Sequence, residues 1–199
     1  IIRGDQKIIP KSEDVLLAGD EVYFVCDSDH LRRCLEAFGK EVSSTRRAII
    51  IGGGNIGLLL AQEIEAKYPD IDLRLIEKNL QRAHYVSQRL HKTLVLHGDG
   101  LNRQIMEEAN SDTTEVVITV MDSDEANILS SILSKNYGTK RSITLINNTN
   151  FVPLVSSMGI DAIVSPRSIT VSTILQHVRK GRVLAAHSLR DGFAEVMEV

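Results

Sequence analysis

Tryptophan is absent from the 199 residues, and four Phe with four Tyr bring the aromatic share to only 4%. The apolar mass therefore comes from Ile, Leu, Val and Ala, as in parallel sheets covered by helices on both faces. Cysteine is scarce as well. Cys26 and Cys34 show no C-x-x-C spacing and cannot form a zinc cage by themselves, so they read as ordinary buried thiols of a protein kept in a reducing compartment. No window approaches the roughly 18 consecutive apolar residues of a membrane span. With 13 Gly and 4 Pro the chain holds too little of either for a low-complexity linker protein. Nor is positive charge in excess: 23 Lys and Arg stand against 26 Asp and Glu, a net charge of -3. That balance supplies no bulk field for a phosphate backbone and argues against nucleic acid as the main partner. What is present, 43% hydrophobic and 25% charged residues, places the chain among soluble globular proteins and excludes disordered, collagen-like and coiled-coil classes.

The chain opens on IIRGDQKIIP, with neither an initiator Met nor a signal-peptide pattern, and closes on AEVMEV inside a strand-type run; both ends are those expected of a piece of something longer. Residues 1–44 predict a small β-β-α unit. KIIP (Lys7 to Pro10) and EVYFVC (Glu21 to Cys26) read as short strands around a Gly19-Asp20 turn, and His30 to Gly39 as a helix with Leu31, Cys34, Leu35 and Phe38 at helical spacing. KEVSSTRR (Lys40 to Arg47) reads as a linker. From Ala48 strands alternate with helices of about ten residues through DAIVSP, predicting parallel βαβ units with right-handed crossovers. Ser168 to Gly181 reads as a further helix, followed by strand-like runs RVLAAHSL and GFAEVMEV joined at Arg190-Asp191-Gly192. The fold class expected is α/β: a doubly wound parallel sheet flanked by portions of small α+β domains.

The strongest chemical signal is IIIGGGNIG. Gly52, Gly54 and Gly57 form G-x-G-x-x-G directly after a buried strand and at the start of an amphipathic helix. Gly52 permits the tight turn, Gly54 lets a diphosphate approach the backbone, and Gly57 lets the helix pack on the strand, while the helix N-terminus offers free N–H groups to the phosphates. The next strand ends at Glu77, twenty residues past Gly57, where an acid accepts hydrogen bonds from both ribose hydroxyls. A carboxylate there repels a 2'-phosphate, which favours NAD or an adenine nucleotide over NADP; Lys78 and Arg82 weigh the other way. The third and fourth strands end in His97-Gly98-Asp99-Gly100 and Val120-Met121-Asp122, loops that face the crevice of such a sheet. Asp99 either lines that crevice or caps the next helix. In SDEAN, Ser123 or Asp124 is the expected N-cap.

Equally informative is what accompanies no such loop. A dehydrogenase needs a proton donor beside the nicotinamide, and no Ser-Tyr-Lys arrangement occurs, since Tyr85 is followed four residues later by Arg89. The six His show no metal spacing, and neither a nucleophile elbow nor a Walker A loop is present. His97 reads as structural. The nucleotide is therefore expected to act as a signal rather than a reagent, with no catalytic and no metal-binding residues; the alternative function is an NAD-dependent oxidoreductase, and a sensor serving another target is a third reading.

The motifs IIIGGGNIG, LIEKNLQRA, HGDG, ITVMDSDEANILSSILSK, MGIDAIVSPRSIT and ILQHVRKGRV resemble the RCK (regulator of potassium conductance) family of regulatory subunits of bacterial Trk-type potassium uptake systems. The resemblance covers essentially the whole chain. It implies that residues 1–44 end a first small C-terminal-type domain, residues 45–166 form a Rossmann-like RCK nucleotide-binding domain, and residues 167–199 begin a second, truncated small domain. It further implies a cytoplasmic homo-oligomer, peripheral on the inner face of the membrane, that binds NAD(H), with ATP/ADP as the other candidate, to gate a membrane potassium-conducting subunit. By motif, Gly52, Gly53, Gly54, Asn55, Ile56 and Gly57 are the phosphate loop and Glu77 the ribose acid. Lys78 and Arg82 serve a phosphate, and Asp99, Gly100, Met121 and Asp122 approach the adenosine. Some relatives carry Arg where this loop has Asn55, and its loss tilts the choice toward NAD(H). Of the apolar helices, FVPLVSSMG and ITVSTILQHV, the second is expected to form a partner face.

Overall fold

The computed structural model describes residues 1–4, 6–39, 45–178, 185–189 and 194–198. The linker over 40–44, the end of the last expected helix at 179–181 and the Arg190–Gly192 turn lie outside the described residues.

In the N-terminal segment β1 (Ile2–Arg3) pairs antiparallel with β2 (Gln6–Lys7), and Ile2 forms a single bridge to Glu21. KIIP is thus only one residue deep in a strand, because Pro10 has no N–H to offer and Ile9 stands 90% exposed. EVYFVC is not a strand beyond Glu21. The run is fastened instead at the end of α1 (Leu31–Ala37), where Phe24 stacks on the C-cap Phe38 at 5.2 Å. The segment is fastened by polar contacts. Arg3 donates to the Asp20 carboxylate at 2.8 and 2.7 Å, and the Leu17 N–H adds a third bond at 2.9 Å. The guanidinium, then that N–H, hold Asp20 down to about 2.

The rest is a six-stranded parallel sheet. Its strands are β3 (Arg47–Ile51), β4 (Asp72–Glu77), β5 (Leu94–His97), β6 (Val116–Thr119), β7 (Arg141–Leu145) and β8 (Ala162–Val164), in the order β5-β4-β3-β6-β7-β8. This is the Rossmann order, with the switch point between β3 and β6. Helices α2 (Asn55–Lys67), α3 (Leu80–Ser87), α4 (Arg103–Glu108), α5 (Asp124–Asn136) and α6 (Val152–Ser157) form the crossovers. The central strand β3 has neighbours on both sides and helices on both faces, so its run AIII is buried throughout. Alternation divides the core. Ala48, Ile50 and Leu75 pack with Leu58, Ala61 and Val86 on the α2–α3 face. Ile49, Ile51 and Val117 pack with Met106 and Ala109 on the other.

Helix α5 meets the sheet through a polar stripe. Asn127, Ser130, Ser131 and Ser134 are buried, and Ser131 bridges Thr119 (3.1 Å) and Thr144 (2.6 Å). After β8 comes α7 (Pro166–Val178), whose Ile169, Val171 and Ile174 are half or more exposed, and then an antiparallel pair, β9 (Ala185–Leu189) with β10 (Ala194–Glu198). On the α2 side of β6–β8 an open cleft of about 740 Å³ is walled by Ile64, Tyr68, Val116, Ile118, Ile143 and Ala162.

Candidate functional site

The carboxyl ends of β3, β4, β5 and β6 converge where the sheet changes direction, and each delivers one loop. After Ile51 the chain must leave the strand and enter α2 within three residues. Gly52 makes that turn at φ +112°, with its N–H bonded to Ile76 O at 2.9 Å. A β-carbon there would press on the Val120 carbonyl at 2.9 Å, and one at Gly57 would overlap the Gly52 carbonyl oxygen. Both glycines are thus required by close approach, and Ile51, Gly52 and Gly53 are buried beneath the loop.

Gly54 is different. It is the N-cap of α2, and a β-carbon on it would meet nothing within 4 Å. No side chain caps this helix, whereas Asn79, Ser123 and Asn102 each accept a backbone N–H at the starts of α3, α5 and α4. The open face of Gly54 therefore looks onto helix N–H groups and the positive end of a helix dipole, which is what a diphosphate requires. Asn55 and Ile56 are exposed at the same place.

Glu77 lies beside the loop, half-buried at the end of β4. Its carboxylate accepts the Gly53 N–H and the Asn79 N–H, both at 2.7 Å, so it fixes the loop as well as facing the crevice. Arg82, from the first turn of α3, closes the opposite side: its Nε donates to Gly53 O (2.6 Å) and its Nη2 to Asn55 Oδ1 (3.1 Å), and its guanidinium lies 4.8 Å from the Tyr85 ring centroid. Lys78 pairs with Asp99 at 2.7 Å across the ends of β4 and β5. That bond, then the Leu101 N–H, lowers Asp99, and the same carboxylate raises Lys78.

Every residue read from the sequence as a site residue lies on these loops or in the first turn of the helix that follows, Asn55, Ile56 and Gly57 in α2 and Arg82 in α3. Gly100 is buried, and a β-carbon there would strike Ile51. Met121 is half-buried and Asp122 exposed at the end of β6. The helix-cap alternative for Asp99 is corrected: Asn102 caps α4 through Gln104 N (2.9 Å), and Asp99 forms a turn with Leu101 N (3.0 Å). Of the two candidates for α5, Ser123 is the cap, accepting Ala126 N at 3.2 Å. Asp124 is buried and holds the N–H groups of Asn147 (2.9 Å) and Asn148 (2.8 Å). His97 is exposed, donating a ring N–H to Lys78 O at 3.1 Å.

One positioning residue escaped the sequence reading. Buried Asn127 accepts the Met121 N–H (2.8 Å) and donates to Met121 O (2.9 Å) and Leu145 O (3.1 Å), tying the β6 loop to the end of β7. The signal was an Asn on the inward stripe of a helix, where an unpaired amide would be costly.

Residues 48–166 match the TrkA-N domain family, well over half of the chain. The chain belongs to the TrkA-N family. A Trk system potassium uptake protein TrkA from Azorhizobium caulinodans is 40% identical over 198 residues, covering 100% of this chain, while the chain spans only 43% of that relative's length. The TrkA-N domain of the inner membrane protein ybaL from Escherichia coli superposes with a TM-score of 0.61 at 19% identity, over 69% of this chain and 100% of that one. The GsuK channel bound to NAD gives 0.59 at 14% identity, over 76% of this chain and 27% of that one. At these identities the two structures show the TrkA-N fold shared here.

Proposed function

We propose that this TrkA-N chain is the nucleotide-sensing part of a potassium uptake regulatory subunit, in which NAD(H) binds at the β3–α2 loop and biases a membrane potassium-conducting partner. The observation that carries the reading is the open Gly54 face in front of the uncapped N-terminus of α2, with Glu77 beside it. Gly52 to Gly57 would hold the diphosphate and Glu77 the ribose hydroxyls. Asp99, Gly100, Met121 and Asp122 would border the adenosine, and Lys78 and Arg82, already at the rim, are the cations that would receive the terminal phosphate of ATP or ADP. Bound NAD(H) supplies a redox-dependent signal here, and the chain's own residues bind and orient it without a catalytic role.

Gating requires a ligand that favours one assembly geometry; shifting a closed population to an open one takes about 5 kcal/mol of differential affinity for a hundredfold change each way. Two apolar faces exposed among the described residues support an assembly of copies: the cleft over β6–β8 and the exposed Ile169, Val171 and Ile174 of α7. Among the described residues no helix is long and apolar enough to cross a membrane; membrane proximity in this reading comes through the partner, on the cytoplasmic side.

Calorimetric titration of the chain with NADH, NAD, NADPH, ATP and ADP, repeated with Glu77→Gln, tests the site. NADH should bind more tightly than NADPH, without turnover, and Glu77→Gln should weaken it ~10-fold or more, the worth of one charged hydrogen bond. Equal affinity for NADPH together with indifference to Glu77→Gln would refute the assignment. Absence of all nucleotide binding would remove the sensing role from this domain.

A further inference from the structure

We propose that Cys26 and Cys34 form a reversible dithiol site that closes to a disulfide by exchange with small-molecule disulfides. The pair was expected to be two ordinary buried thiols; both are free thiols, but half-buried rather than buried, and the Cys34 side chain lies within hydrogen-bonding reach of Cys26. The chain reverses at Asp27, whose Oδ1 accepts Asp29 N (2.9 Å) and whose carbonyl accepts His30 N (3.0 Å), and it returns as α1. On the outgoing run Cys26 stands two residues beyond Phe24. On the return, Phe38, the C-cap of α1, stands one turn beyond Cys34, its N–H bonded to the Cys34 carbonyl at 3.3 Å. The Phe24–Phe38 stack fixes one rung of this ladder at 5.2 Å, which makes Cys26 and Cys34 the next rung. Burial first, then the hydrogen-bonding Cys34 thiol beside it, push the Cys26 thiol up.

The exchange balances without any group from the nucleotide crevice. The Cys34 thiolate attacks one sulfur of a disulfide RSSR; that S–S bond breaks, and RS⁻ leaves and takes a proton as RSH. Cys26 then loses its proton and attacks the Cys34 sulfur of the mixed disulfide. The Cys26–Cys34 bond forms and the second RS⁻ leaves as RSH. The protein dithiol is oxidised by two electrons and RSSR is reduced to two RSH. The product staples the run before Asp27 to α1, and excess thiol reverses it.

The full chain is equilibrated in glutathione buffers of graded oxidised-to-reduced ratio, acid-quenched, alkylated and mapped by mass spectrometry, both native and in urea. An intramolecular Cys26–Cys34 peptide is expected. The native chain should reach half-closure at a ratio ~10-fold or more below the unfolded chain, a shift of about 30 mV, because the fold holds the thiols together. Cys26→Ser and Cys34→Ser should each leave one mixed glutathione disulfide and no cross-link. Two mixed disulfides per native chain, or equal midpoints in native and unfolded protein, would overturn the proposal.

Discussion

The runs RAIII at 47–51 and EVYFVC at 21–26 both read as strands from their letters, yet the fold treats them oppositely. β3 lies between β4 and β6, and its isoleucines are essentially inaccessible. Residues 21–26 have one bridge, at Glu21, and Val25 is 73% exposed. An apolar run becomes core only where neighbouring strands receive its N–H and C=O groups, since burial without those bonds would orphan them. Position in the topology, more than composition, separates the sheet domain from the N-terminal segment, where Ile2 is the one buried hydrophobe among the described residues.

Truncation at matched depth in sequence gives the largest test of that contrast. Ile50→Ala, in the packed α2–α3 face, should cost about 2–5 kcal/mol in urea unfolding. Val25→Ala should stay within roughly 0.5 kcal/mol. Comparable losses from the two would mean that residues 21–26 bury their side chains after all.

Next in size is Asn127→Ala. It strips partners from Met121 N–H, Met121 O and Leu145 O together, for about 2–3 kcal/mol. It should also weaken nucleotide binding at the β6 loop, measured in the same titration as Glu77→Gln. A variant that lost stability but bound nucleotide unchanged would detach Asn127 from the site.

Asn127 also marks where legibility ended. The entry to α2 was legible, because the glycine triplet and the apolar periodicity after it agree locally where the helix begins at Asn55. The parallel sheet with its crossover helices followed from βαβ alternation. The inward stripe of α5 was opaque, because its Asn and Ser face the sheet, where Asn127 bonds the Met121 and Leu145 backbone and Ser131 the Thr119 and Thr144 hydroxyls, so apolar periodicity misnames the buried side. At the site, the glycines and Glu77 carried a spacing signature. Arg82 was read as a phosphate ligand, and its clasp on Gly53 O depends on how α3 docks, which no local pattern encodes. The EVYFVC error was of the opposite kind: the letters favoured a strand, and among the described residues the run enters a sheet pattern only at the Ile2–Glu21 bridge.

Two carboxylates, one in each region, are both held at about 2 by different means, and this sharpens the comparison at smaller energies. Glu65, on α2, would be raised by burial, but the Lys92 and His91 N–H groups, the Thr93 hydroxyl and the Thr93 N–H outweigh it and bring it to about 2 from an ordinary 4.5. Its folded value is depressed, so its contribution is fully present above pH 4.5 and is lost as pH falls from there toward 2. We expect about 2 kcal/mol from this half-buried group. The window should vanish in Glu65→Gln, which denaturant midpoints between pH 6 and 3 will show; an unchanged acid slope would exclude Glu65 as its source.

Asp20 titrates in nearly the same window, between its ordinary 3.8 and about 2, and the sign is the same: the clasp is present above pH 4 and lost below. Its main partner, however, is the half-exposed Arg3 side chain, where Glu65 is held chiefly by backbone N–H groups. Salt screens the former more than the latter. The readout is local, because the clasp lies beside the reciprocal Ile2 N–H to Glu21 O and Glu21 N–H to Ile2 O bonds, at 2.8 and 2.9 Å. Asp20→Asn should speed hydrogen exchange at those two amides and leave the β3 amides unchanged, and 1 M salt should reproduce part of that effect in the unaltered chain. If β3 exchanged faster too, the segment and the sheet would unfold as one unit, and the contrast between them would be one of packing alone rather than of independent stability.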